Sequence, residues 1–368
     1  MENEIVEAYR NKFTTYPPAE GILTLRESVS QFIKEREGLD FNTNEILIAA
    51  GGRPLIYTLY RALVDKGDKV IYAVPSWNNN HYVHFVEGTH EVIQATRENN
   101  FMPSAEDIKP HLENAVLIAL CSPLNPTGTV FKKEELEKIC DMVLEENNRR
   151  PDEEKKLYVM YDQMYWQLTY GDTVHYNPVG LRPQMKNYTI FIDGISKAFA
   201  ATGVRVGWAL GPEHVLAKMK AINSHVGAWS PMAEQHATAK FLSQDNAVDD
   251  YLSNYKKELE ERLQLIYEGF QKLRSEGFSV DACAPEAAIY LTIKISLVNK
   301  KTNEGTFLET QSDVTSYILN EAKLAVVPFY AFGAPKDSDW YRLSVGTCRK
   351  EEIPEMFEKL KSALSNLS

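Results

Sequence analysis

Short apolar and β-branched runs bounded by turn residues recur along the first two thirds of the chain. They predict strands at 45–50, 69–74, 115–120, 157–161, 188–192 and 204–210. Helical spacing separates most of them. In 54–66, Pro54 opens the segment, Leu55, Leu59, Ala62 and Leu63 share one face, and Gly67 closes it. Strands alternating with helices predict an α/β fold built on a mainly parallel, doubly wound sheet. A long charged amphipathic helix at 249–275 breaks that rhythm, and strand-like segments follow at 278–295, 324–329 and 340–345. The change predicts a second, smaller α+β domain. The expected division is an N-terminal segment, 1–40, packing with the small domain, a large domain at 41–265, and a small C-terminal domain at 266–368.

Composition narrows the classes. The chain has 368 residues, 44% of them hydrophobic and 25% charged, as in ordinary globular proteins, and no apolar run is long enough to span a bilayer. Residues 1–13 are polar and lack a secretory leader's apolar segment, so a cytoplasmic location is expected. Cys121, Cys140, Cys283 and Cys348 are widely spaced, which argues against a zinc site or a disulfide framework and for buried thiols. A net charge of -11 without a basic stripe disfavours nucleic acid as a partner. The polar stretch 145–156 reads as a solvated helix end and loop.

Parallel sheets bind ligands beyond the carboxyl ends of their strands, so the residues that follow each predicted strand carry the chemistry. Gly51, Gly52 and Arg53 follow the first, at a helix start where free N–H groups, the helix dipole and a cation suit a phosphate. Trp77 follows the second and offers a flat ring. Asn125 follows the third in the turn Asn125-Pro126-Thr127-Gly128. Asp162 follows the fourth, with Tyr165 three residues on. Ser196 and Lys197 lie beyond the fifth, and Arg205 is eight residues past Lys197. Each has a bland reading taken alone: Lys197 as a surface lysine, Asp162 as a helix cap, the Asn-Pro-Thr-Gly segment as only a turn, Trp77 as core, Arg342 as an edge residue. Their recurrence at successive strand ends is what independent accidents do not produce. His81, His84 and His90 have no carboxylate or cysteine cluster beside them, so no metal is expected.

The ordered set Asn125-Pro126-x-Gly128, Asp162-x-x-Tyr165, Ser196-Lys197, Gly203-x-Arg205-x-Gly207 and Tyr341-Arg342-Leu343-Ser344 resembles the class I/II aminotransferases of pyridoxal-phosphate fold type I. The resemblance implies a large domain that binds pyridoxal 5'-phosphate, with Lys197 forming the Schiff base and then carrying a proton. It implies Asp162 opposite the pyridinium nitrogen, Asn125 and Tyr165 on the phenolic oxygen, and Trp77 stacked on the ring. Gly51, Gly52 and Arg205 would hold the phosphate, Ser196 would also bind the cofactor, and Arg53 would serve either the phosphate or a substrate side chain. Arg342 would clamp the α-carboxylate, with Asn125 and Trp77 also touching substrate. The implied reaction moves an amino group between an L-amino acid and a 2-oxo acid, in a homodimer that contributes Tyr16 to the neighbouring site.

Departures from the family pattern are also expected to matter. Gly194 stands where the family has a phosphate-binding serine, Ala228 and Trp229 stand near the position of an arginine that reads acidic side chains, and the family's site-covering segment ahead of Tyr16 is not recognisable. Two alternatives remain on sequence grounds: a β-elimination lyase, which would use Lys197 and Asp162 equally, and a non-catalytic dimeric binding module.

Overall fold

In the computed structural model, which describes residues 1–368 except the side chain of Asp245, the parallel core of the molecule is a seven-stranded sheet. Its strands are β1 (Ile46–Ala49), β2 (Lys69–Val74), β3 (Thr89–Gln94), β4 (Ala115–Cys121), β5 (Tyr158–Asp162), β6 (Thr189–Gly194) and β7 (Gly207–Leu210). The order is β1-β7-β6-β5-β4-β2-β3, with β2 to β6 parallel and β7 antiparallel to both β6 and β1. β4 and β6 are buried almost throughout, because helices cover both faces; β4 therefore reads as a continuous apolar run, and β6 carries Ile190, Phe191 and Ile192 between the buried Thr189 and Asp193. β3 lies at the sheet edge with most side chains exposed, and its mixed sequence gives no strand signal.

On one face, the helix Gly52–Leu63 buries Leu55, Ile56, Leu59 and Tyr60. The helix Asp245–Ser275 adds Leu259, Leu263, Ile266, Phe270 and Leu273, an apolar stripe at three- and four-residue spacing. It runs unbroken through position 265, so the two sheets are joined by helix. The second sheet contains β8 (Val280–Ala282), β9 (Tyr290–Ile295), β10 (Val327–Pro328) and β11 (Trp340–Ser344), antiparallel in the order β10-β11-β9-β8.

Three expectations need correction. The N-terminal segment does not pack on the small domain. Leu25, Val29, Phe32 and Ile33 of the helix Leu23–Glu37 share a core with Ile46, Ile48, Phe191 and Trp208 of the large sheet, where their apolar face finds the larger surface to bury. The helix Glu2–Arg10 is tied to the large unit as well, with the Tyr9 hydroxyl donating to Glu234.

The stretch 145–156 is not simply solvated. Glu146, Asn147 and Arg150 are buried, and the Arg150 guanidinium donates to Glu146 and to the carbonyls of Leu112, Ala115 and Lys155 at 2.7–3.0 Å. A buried cation persists here because every donor direction meets an acceptor. Of the four free cysteines, Cys140 and Cys283 are buried, whereas Cys121 and Cys348 are partly exposed.

Candidate active site

Strand register builds the site. Asp162 is level with Cys121 of β4 on one side and Ile192 of β6 on the other, and Gly207 of β7 is level with both Ala49 and Gly194. The segments that leave these strands therefore converge on one edge, where a cleft of about 530 Å³ opens. Gly52, Arg53, Trp77, Asn125, Asp162, Tyr165, Ser196, Lys197, Arg205 and Arg342 all line it. Gly51 abuts it through Arg205. Tyr16 does not reach it within one chain: it is 84% exposed and sits edge-on to Trp229 at 5.2 Å.

Close approach explains the glycines. Gly51 has φ +89°, and a Cβ there would collide with Arg205 Nη2. The same guanidinium donates to Ala50 O at 2.6 Å and Thr202 O at 2.7 Å, which fixes it beside the start of the helix Gly52–Leu63. A Cβ on Gly194 would come within 2.8 Å of Gly207 Cα and Val206 O, so the backbone pairing of β6 with β7 leaves no room for the family's serine.

Electrostatics divide the cleft. Lys197, Arg53, Arg205 and Arg342 face it, and the Arg53, Arg205 and Arg342 guanidinium groups have no carboxylate partner among the described residues. Burial, and then the Arg342 and Arg53 charges, hold the Lys197 amine below its usual pKa, while Asp162 pulls the other way. Burial pushes Asp162 up to about 6, against an opposing hydrogen bond from Met164 N at 3.1 Å and the charge of Lys197. Arg342 Nη1 donates to Asn125 Oδ1 at 2.9 Å, and its buried Nε has no partner. Aromatic rings frame its guanidinium: Tyr290 at 4.7 Å, Phe332 at 4.9 Å and Trp77 at 5.7 Å.

This donor set fits pyridoxal phosphate. A glycine-lined helix start beside Arg205 suits the phosphate, a buried carboxylate that forms no salt bridge suits a protonated ring nitrogen, and a depressed lysine suits the aldehyde. The spare donors of Arg342 suit a planar carboxylate. Tyr290 and Phe332 were not legible as site residues, since they lie in ordinary apolar segments far along the chain and carry no motif.

The chain matches the family described as aminotransferase class I and II over residues 1–360. It belongs to that family. An aspartate aminotransferase of Bacillus sp. (strain YM-2) is 30% identical over 332 residues, covering 90% of this chain and 80% of the relative. Among solved structures, the aspartate aminotransferase of Rhizobium meliloti superposes with a TM-score of 0.90 at 26% identity, covering 100% of this chain and 88% of that one. An aromatic aminotransferase from Pyrococcus horikoshii reaches 0.87 at 25% identity, covering 99% and 91%. The large sheet with its flanking helices is the α/β fold type I arrangement of this family. The protein is thus a pyridoxal-phosphate-dependent transaminase, acting on small-molecule amino acids and 2-oxo acids.

Proposed function

We propose that this transaminase takes an acidic, aspartate-like L-amino acid as donor and 2-oxoglutarate as acceptor, using Lys197 as its central acid and base. The carrying observation is that Arg53 and Arg342 approach the same Trp77 ring, at 5.4 and 5.7 Å, with no carboxylate paired to either among the described residues. Two free guanidinium groups in one cleft suit a substrate with two carboxylates. The related proteins named for aspartate support that choice.

When bound, pyridoxal phosphate supplies an electron sink for the pair left at the substrate α-carbon. The residues of the chain do the rest. Arg342 receives the α-carboxylate, and Asn125 holds Arg342 in place. Arg53 receives the side-chain carboxylate. Lys197, whose amine is held below its usual pKa by burial and then by the Arg342 and Arg53 charges, takes the proton from the α-carbon onto Nζ and carries it during the amino transfer. Asp162 would pair with the ring nitrogen and favour its protonated form, the added positive charge lowering the raised pKa of the carboxylate. Tyr165 and Asn125 would donate to the phenolic oxygen, Trp77 would cover the ring, and Gly51, Gly52, Ser196 and Arg205 would receive the phosphate. Arg53 is assigned to substrate in preference to phosphate because it stands over Trp77, whereas Arg205 already occupies the helix start.

The working unit we propose is a homodimer, with Tyr16 entering the neighbouring site; its 84% exposure next to Trp229 supports this reading. The free cysteines fit a reducing compartment, the cytoplasm. No helix among the described residues is long and apolar enough to cross a membrane. Borohydride reduction of the yellow protein followed by peptide mapping tests the centre of the proposal: the label is expected on Lys197, and a label elsewhere overturns it. A half-reaction screen in which acidic amino acids react no faster than neutral ones overturns the substrate assignment.

A further inference from the structure

Tyr290, on β9 of the second sheet, is 5% exposed and touches both halves of the cleft. Its hydroxyl lies 2.5 Å from that of Tyr165, and its ring stands 4.7 Å from the Arg342 guanidinium. Burial pushes both phenols up, and Tyr290 is drawn back toward its usual value by the Tyr165 hydrogen bond and the Arg342 charge. A hydroxyl has one proton to give. If Tyr165 gives its own to the phenolic oxygen of the cofactor, the short contact with Tyr290 survives only with Tyr290 as donor. The ring has a separate task, because a guanidinium flanked by Tyr290, Phe332 and Trp77 keeps its orientation without a carboxylate partner.

From this geometry we infer that Tyr290 is a positioning residue that couples cofactor and substrate: its hydroxyl polarises Tyr165 and its ring holds Arg342 ready for the α-carboxylate. The inference rests on the roles proposed above for Tyr165 and Arg342. Removing the hydroxyl leaves Tyr165 a weaker donor, so the phenolic oxygen keeps more charge and its neighbouring proton is held more tightly. Removing the ring loosens Arg342.

The test separates these effects with Tyr290→Phe and Tyr290→Leu, read on the cofactor-loaded enzyme without turnover. Tyr290→Phe is expected to raise the pH midpoint of the absorbance transition, in the same direction as Tyr165→Phe but by less, and to leave the Kd for maleate within about twofold. Tyr290→Leu is expected to raise the midpoint similarly and to weaken maleate roughly 30-fold, the size of a desolvated cation–π contact. An unmoved midpoint in Tyr290→Phe, or unchanged maleate binding in Tyr290→Leu, overturns the inference. Controls on Tyr165→Phe and Arg342→Lys show which level has failed: if these do not move the midpoint and the maleate Kd, the underlying site assignment is wrong, and Tyr290 falls with it.

Discussion

Arg342 of β11 donates to Asn125 Oδ1 at 2.9 Å, linking the second sheet to the turn that follows β4 of the first. Because the remaining donors include an unpartnered buried Nε, the fork is set for a planar acceptor. Arg342→Lys keeps the charge and loses the fork. It is expected to lower kcat/KM for every amino acid roughly 30- to 100-fold, about 2–3 kcal/mol of a charged hydrogen-bonded pair. Steady-state kinetics on acidic, aromatic and small neutral donors check this; a loss confined to one substrate class contradicts it.

Arg53 should behave differently. Its side chain leans over Trp77 and has no carboxylate partner among the described residues. Arg53→Ala is expected to cost acidic donors about 10- to 100-fold in kcat/KM and neutral donors less than about threefold, since only an acidic substrate leaves a carboxylate unpaired. Equal losses for all donors, together with weakened cofactor binding, would instead assign Arg53 to the phosphate.

Gly194→Ser would restore the serine that the family pattern has at this position, yet it should harm the protein. Its Cβ would lie 2.8 Å from Gly207 Cα and Val206 O, which are backbone and cannot swing aside. The expected cost is about 2–3 kcal/mol of stability, read as a lower Tm, with no gain in cofactor affinity. Tighter cofactor binding at unchanged Tm would show that the strand pair can open.

Behind the cleft, Glu37 is buried and accepts hydrogen bonds from Gln163 at 2.7 Å and Asn177 at 3.0 Å; burial nonetheless pushes it from 4.5 to about 7. His175, 3.8 Å away, is pushed by burial down to about 3 and so stays neutral, and the buried Asp193 nearby is itself raised. An acid whose folded pKa is raised binds its proton more tightly folded than unfolded, so its ionisation destabilises progressively from about pH 4.5 to 7 and levels off above. Glu37→Gln is therefore expected to raise stability by up to about 3 kcal/mol at pH 8 and by little at pH 5. Denaturation at both pH values tests this, and an equal effect at the two pH values would refute it.

The sequence by itself determined the kind of elements and the residues at their ends. A buried strand such as β4 is apolar throughout, and residues following parallel strands must emerge on one edge, so Trp77, Asn125, Asp162 and Lys197 were readable from sequence order as lining one cleft. Tertiary structure decided everything that depends on which distant surfaces meet. It put the helix Leu23–Glu37 on the large sheet, buried Arg150 among carbonyls, left Tyr16 outside its own cleft, and set Tyr290 between Tyr165 and Arg342. The physical reason is range: periodicity records which face of an element is buried, whereas the partner across that face is fixed by strand order, register and the packing of segments tens to hundreds of residues apart.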